Sequence, residues 1–362
     1  MSSPNIQKES IMLEKIKKLR EKYSNGEAML FTNKSETFYL SGAQFDGFWI
    51  LAVKDKVFIV CSKMTENQMK EFFHSDNVVI RAGAPFSLEA SKIAKENGVK
   101  RIIADPQYVT AADFIVLQQR LSIQNIELVA KTGVLNDLRI VKSQEEIENL
   151  KKSCEIVSRV CGEIKKELKA GMTELDIHYR ILELFAKTKV QESFTPIVAG
   201  GKNSANPHHA SSNYKIKEND SIMMDIGCIY NGYCSDLTRT YFLGKINTKF
   251  MKIWDIVKAS QNAVLNAVKA GLPLAWADKT ARDIIEQAGY RDNFIHTTGH
   301  GVGIEIHEMP SLAANAEGVF LTSMAVTVEP GIYIPGEFGI RIEDTILITD
   351  NGCEVLTSAP YK

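Results

Sequence analysis

Residues 223–240 read MMDIGCIYNGYCSDLTRT, two apolar-alternating runs on either side of Asn231-Gly232. An Asn-Gly pair in that setting specifies a two-residue type I′ turn, because both central residues need positive φ. The turn sets the register: Tyr230 opposes Tyr233, Asp225 opposes Thr238 and Gly227 opposes Asp236. Asp225 and Asp236 then share one face of the sheet as diagonal neighbours, with Cβ atoms roughly 7 Å apart. Both carboxylates can converge on one or two cations, and Gly227 is expected to leave space for a ligand beside Asp236. Two aspartates on an exposed face could equally be solvated. Aspartate is disfavoured in strands, however, and the surrounding run is apolar. Two carboxylates buried together resist joint ionisation unless a cation or water compensates them.

Two glutamates repeat the pattern near the C-terminus. Glu329 ends the apolar run MAVTV and precedes the turn Pro330-Gly331, and Glu343 interrupts GIRIEDTILI. Arg341 lies two residues before Glu343, at the same strand parity. On an exposed strand these would be ordinary surface charges. Within runs this apolar, buried carboxylates are usually paired or metal-bound. Four carboxylates and one imidazole suit a pair of hard-to-borderline divalent ions, manganese or cobalt, better than a structural zinc.

Residues 296–310, HTTGHGVGIEIHEMP, contain three histidines and three glycines. His296 and His300 stand four apart, as two zinc ligands on a helix would. Gly299, Gly301 and Gly303, with Val302, Ile304 and Ile306, argue against a helix. The glutamate that should follow the first histidine of a zinc-protease helix is also missing. Read as a strand, His300 and His307 have opposite parity, so a twist or bulge is required if both face one site.

The rest of the chain divides into two domains, residues 1–135 and 136–362. IMLEKIKKLREKY, ending at Tyr23, is an amphipathic helix. A strand hairpin spans Trp49 to Cys61, SLEASKIAKENG is a helix stopped by Gly98, and VKRIIAD is a buried strand. No phosphate-binding glycine loop accompanies this small α/β domain. Ser143 with Glu146, and Thr173 with Asp176, form capping boxes that open two helices, the first running to about Leu168. Two further helices are expected over about Thr248–Ala270 and Ala275–Ala288. The second domain thus alternates two helices, strands, two helices, strands.

The formal net charge of −1 leaves no basic surplus for a nucleic-acid partner. No apolar run is long enough to span a bilayer, and MSSPNIQKES has no apolar segment of a secretory signal. The six cysteines stand singly, without a CxxC pair, which is the usage of a reducing cytoplasm.

The ordered set Asp225, Asp236, His300, Glu329 and Glu343, carried by MDIGCIYNGYCSDLTRT, HTTGHGVGIEIHEMP and VEPGIYIPGEFGIRIEDT, resembles the pita-bread metallopeptidases: methionine aminopeptidase, aminopeptidase P and prolidase. The resemblance covers essentially the whole chain. It implies an α/β (α+β) fold: a small N-terminal creatinase/prolidase-like α/β domain, then a catalytic domain with a curved antiparallel sheet covered by helices. It further implies two divalent metal ions, Mn2+ before Co2+ or Zn2+. Asp225 would chelate one, Asp236 and Glu343 would bridge both, and His300 and Glu329 would complete the other. All five positions are filled, which argues against creatinase-like and catalytically silent members.

The N-terminal domain, His296 and His208 match the proline-specific branch, whereas His209 carries no match and is expected to be an exposed loop residue. The implied reaction is hydrolysis of an Xaa-Pro bond by a metal-bridging hydroxide. Glu329 would shuttle the proton, and His307 would stabilise the oxyanion with His208 nearby. His296 would wall the proline pocket, while Arg341 and Thr238 would orient metal ligands. Several prolidases carry an arginine just after H-E-x-P. Ser311 stands there in this chain, which favours aminopeptidase P action on longer peptides over the alternative, an Xaa-Pro dipeptidase. A homodimer is carried over from the family.

Overall fold

The Asn231-Gly232 turn forms with φ of 49° and 86°, and Tyr230 pairs with Tyr233 as the sequence requires. Strand Leu237–Phe242 runs antiparallel to Ser221–Ile226 with Thr238 opposite Asp225. These contacts come from a computed structural model, which describes residues 4–22, 27–245 and 247–361. Residues 1–3, which begin the stretch read for a signal segment, and Tyr23, the expected helix end, lie outside the described residues.

Two units are formed, Met1–Leu138 and Arg139–Lys362. The first is a six-stranded mixed sheet in which Glu27–Phe31, Phe48–Val53 and Lys56–Cys61 form an antiparallel meander. Val78–Ala82, Arg101–Ala104 and Glu127–Ala130 extend it in parallel. The helices Phe86–Glu96 and Ala111–Ser122 supply Ala90, Ile93, Leu117 and Leu121 to one core with Leu30, Leu51 and Val60.

The second unit opens with the two predicted capping boxes. Ser143 and Glu146 start helix Gln144–Glu167, and Thr173 and Asp176 start helix Glu174–Lys187. Their apolar faces cover the three-stranded antiparallel sheet Ile197–Gly200, Ser221–Ile226 and Leu237–Phe242, burying Val157, Ile181, Phe185, Met224 and Leu237 in one cluster. Helices Thr248–Leu265 and Ala275–Gln287 contribute Val264, Ala277 and Ala281 to a second cluster. Its sheet partners are Val326, Val328, Ile346 and Ile348, from an antiparallel five-stranded sheet. Each helix pair therefore covers one sheet, and the functional groups lie on the uncovered faces.

Two local expectations are corrected. The third long helix ends at Leu265, not near Ala270. The Ala270 and Gly271 amides instead donate to Thr349 and Phe320 carbonyls, so tertiary pairing takes over the last turn. Gly227 does not open space for a ligand. A Cβ there would lie 2.1 Å from the Ser235 carbonyl oxygen and 2.2 Å from Ser193 Oγ, so the glycine admits protein backbone.

Candidate metal centre

Five carboxylate and imidazole side chains from five strand segments converge in one cleft of about 340 Å³ within the second unit. Asp225 comes from the strand Ser221–Ile226, and Asp236 from the residue preceding Leu237–Phe242. His300 is the central residue of Gly299–Gly301. Glu329 follows Ala325–Val328, and Glu343 precedes Asp344–Ile348. Strand ends suit such a site because the ladder stops there and frees the side chain to lean inward.

Asp236, His300 and Glu343 each offer a ligand atom within 4.8 Å of the other two. His300 Nε2 lies 3.3 Å from Glu329 Oε1 and 3.5 Å from Asp236 Oδ2. Burial holds the Asp236 carboxyl well above the usual carboxylate range, and the charges of Glu343, Asp225 and Glu329 push the same way. Glu343 is raised by burial and then by Glu329 and Asp225, and Glu329 is raised chiefly by burial. Burial lowers the pKa of His300 and keeps its imidazole neutral, the form that ligates metal.

The donor set fits divalent cations on a second count. Asp225 Oδ1 and Glu343 Oε1 are buried without a hydrogen-bond donor among the described residues. Buried carboxylate oxygens are rarely left unpaired, and a cation is the partner that would satisfy both.

Arg341 is buried beneath this group. Its Nη2 donates to Asp225 Oδ2 at 2.5 Å, its Nε to Thr238 Oγ1 at 3.1 Å and its Nη1 to Tyr333 OH at 2.7 Å. Thr238 Oγ1 donates to Glu343 Oε2 at 2.7 Å, so the threonine orients one of the candidate ligand carboxylates. Direct opposition in the register brought Thr238 close to Asp225, but the guanidinium occupies that carboxylate.

His208, His296 and His307 line the same cleft with Phe194, Ile197, Pro207 and Ile306. The parity conflict between His300 and His307 is resolved by a register jump. His300 pairs with Ser311, but the next residue, Gly301, pairs with Glu308. The two rings meet edge to face at 4.3 Å. Burial, then the neighbouring His300, lowers the His307 pKa.

Gly299 and Gly301 permit this arrangement. A Cβ at either would lie 2.0 Å from the Thr327 carbonyl oxygen or 2.3 Å from that of Met309.

The His307 loop is anchored by Glu308. Its Oε1 accepts Arg139 Nη2 at 2.6 Å, and its Oε2 lies 3.3 Å from Lys142 Nζ. Burial alone would raise the Glu308 carboxyl, but Lys142 and Arg139 hold it below the usual range. Removing one member of a buried ion pair strands the other charge, at a cost of about 3 kcal/mol or more. Arg139→Ala should therefore lower the denaturant midpoint markedly, and an unchanged midpoint would show that this pair does not hold the loop.

Two site features were not read from sequence. Tyr333 OH bridges Arg341 Nη1 and His296 Nε2, the latter at 2.9 Å. Gly331, two residues before it, and Gly339, its cross-strand partner, leave room for the ring. A tyrosine flanked by two such glycines is the signal that could have found it. His209 is not an exposed loop residue either. Its Nε2 lies 2.8 Å from the fully buried Glu174 carboxylate.

A helix-backed unit that gathers two buried and two half-buried carboxylates and a neutral imidazole in one cleft defines a metal-dependent hydrolase. The chain belongs to metallopeptidase family M24, whose model matches residues 148–350, and residues 13–141 match the creatinase/prolidase N-terminal domain. An Xaa-Pro dipeptidase of Pyrococcus horikoshii is 32% identical over 352 residues, covering 96% of this chain and 97% of its own. The solved Xaa-Pro dipeptidase of Bacillus anthracis superposes with a TM-score of 0.92 at 33% identity, over 97% of this chain and 99% of that one. The X-Pro aminopeptidase of Thermotoga maritima gives 0.85 at 29% identity, over 94% and 98%. The second unit has the pita-bread fold of these structures. Among the described residues no helix is long and apolar enough to cross a membrane.

Proposed function

We propose that this chain is an Xaa-Pro aminopeptidase, a metal-dependent exopeptidase that removes the N-terminal residue from peptides with proline second. The observation that carries the reading is the single cleft lined by Asp225, Asp236, His300, Glu329 and Glu343 together with His208, His296 and His307. Those five ligands would hold two divalent cations, which supply an ionised water and polarise the scissile carbonyl. A set of carboxylates and one imidazole, without thiolate, favours manganese, with cobalt and zinc as alternatives.

The chain's own groups do the rest. Glu329, whose Oε1 is held by Thr327 Oγ1 at 3.2 Å, carries the proton from water to the departing proline nitrogen. His307 donates an N–H to the carbonyl oxygen as it becomes anionic, and His208 hydrogen-bonds the same region. His296, fixed between the Thr297 carbonyl and Tyr333 OH, walls the proline ring. Arg341 orients Asp225. His307→Ala should retain metal while losing about a hundredfold in kcat, as for removal of one oxyanion donor. Loss of metal instead would make His307 a ligand.

The position after H-E-x-P supports action on longer peptides. Ser311 lies directly across from His300 and offers no cation for a free proline carboxylate. Among the described residues lining the cleft the one guanidinium or ammonium is Arg341, and it is fully engaged by Asp225, Thr238, Tyr333 and the Pro207 carbonyl. The dipeptidase names of the Bacillus and Pyrococcus relatives favour the alternative, cleavage of Xaa-Pro dipeptides. Turnover of an Xaa-Pro-Xaa tripeptide well above that of the matching Xaa-Pro dipeptide supports the aminopeptidase, and the reverse ranking overturns it.

The same proposal includes a cytoplasmic homodimer. Six free cysteines, none in a disulfide, support a reducing compartment. Ile295 and Met309, sequence neighbours of His296 and Glu308, are 64% and 49% exposed apolar side chains that a second copy could cover. Light scattering of the purified protein tests the dimer.

A further inference from the structure

Glu174 is a fully buried carboxylate outside the metal cleft, and the chemistry above makes no use of it. It stands at the first position of helix Glu174–Lys187, yet its side chain is turned to a different segment. Oε1 accepts the Gly200 amide at 2.8 Å and Asn203 Nδ2 at 2.9 Å. Oε2 lies 2.8 Å from His209 Nε2 and accepts from the Ser212 amide at 2.9 Å and Ser212 Oγ at 2.7 Å. Five hydrogen bonds thus tie four points of the segment 200–212 to one carboxylate.

That segment carries Pro207 and His208 into the cleft. His208 is exposed, and the hydrogen bond at its amide, to Asn206 Oδ1 at 3.2 Å, is local to the loop. The link from Pro207 to the rest of the site is a long one, its carbonyl accepting Arg341 Nη1 at 3.4 Å. The loop's own tethers do not fix where an exposed imidazole sits. The Glu174 clasp holds the chain on both sides of His208 from one buried carboxylate, alongside single bonds between Ser204 and Gly339 and between Ser211 and Val198.

We infer that Glu174 is a positioning residue for His208, acting through Asn203, His209 and Ser212, an assignment that rests on the peptidase reading of His208. Displacing a catalytic group by about 1 Å can cost up to about a hundredfold in rate. Residues that act as a unit are non-additive in double-mutant cycles.

The test uses the manganese-loaded full chain and a Xaa-Pro-Xaa peptide. Glu174→Gln places an amide N–H₂ against donors of Ser212 and is expected to lose about tenfold or more in kcat with metal content unchanged. In a His208→Ala background the same substitution should add no further loss. If Glu174→Gln does not fold, His209→Leu replaces it in the cycle, with His209→Gln partly restoring the rate because it keeps a donor for Glu174. A full-rate clasp variant, one that loses metal, or one whose loss multiplies with that of His208→Ala overturns the inference. If His208→Ala alone keeps the parental kcat, the peptidase role of His208 fails, and the positioning role with it. Multiplicative losses with a slow His208→Ala leave that reading standing and remove only the role of Glu174.

Discussion

Asp236→Asn is expected to retain the fold, bind at most one cation and lose more than about a thousandfold in peptide hydrolysis. Asp236 lies with His300 and Glu343 in a group whose ligand atoms are all within 4.8 Å of one another, and the residue is 5% exposed. Asparagine keeps the shape and removes the charge, so the substitution separates electrostatics from packing. Burial and three neighbouring carboxylates already disfavour ionised Asp236, and only a cation makes its charge tolerable. The metal-free variant should consequently unfold at a higher temperature than metal-free parent near pH 8. Metal analysis, peptide turnover and thermal unfolding read the three outcomes. A fully active variant holding two cations would sink the dinuclear assignment.

The metal-stripped protein should lose stability as pH rises, whereas the metal-loaded protein should not. Asp236, Glu329 and Glu343 all have carboxyls raised above ordinary values in the folded chain. Unfolded, they ionise near pH 4. Between the unfolded and folded values the folded chain binds more protons than the unfolded one, so stability is fully present below about pH 4 and falls as pH climbs. Each carboxyl still protonated in the folded state removes about 1.4 kcal/mol of stability per pH unit. Cation binding ionises the same groups and abolishes this dependence, so the gain in unfolding temperature on adding manganese should widen from pH 5 to pH 8. A gain that stays flat across that range would mean the carboxylates are not the ligands. Chelation in weak buffer should also take up protons.

What could be read from the sequence follows the range of the interactions. The Asn231-Gly232 turn is a two-residue signal, and it set the Asp225–Thr238 register because a hairpin propagates its turn outward. Capping boxes at Ser143 and Thr173 are signals spanning only four residues, and they fixed two helix starts. The Gly227 expectation failed although the register holds on both sides of Ser235 and Asp236, because the Ser235 carbonyl and Ser193 Oγ, the latter from a distant segment, fill the space that counting left open. The partner of His209 was missed because it lies 35 residues away, and which ligand Thr238 would hold could not be read because Glu343 lies 105 residues away. Clasps of that kind, including Arg139 on Glu308, join segments with no shared period, and a single sequence gives no signal of which buried charge will meet which.

The register jump between His300 and Gly301 also separates two design problems. His300 is locked by carbonyls against the glycines on either side, so its aim belongs to the sheet. His307 is delivered by a loop whose length is free of the strand's alternation. A change of one or two residues within 302–306 would re-aim the His307 imidazole, and His300 would register it only through the ring contact at 4.3 Å and the Ile306 backbone. The position of one imidazole is thus set by the sheet and that of its neighbour by the length of a loop, a division of labour that an uninterrupted strand would forbid.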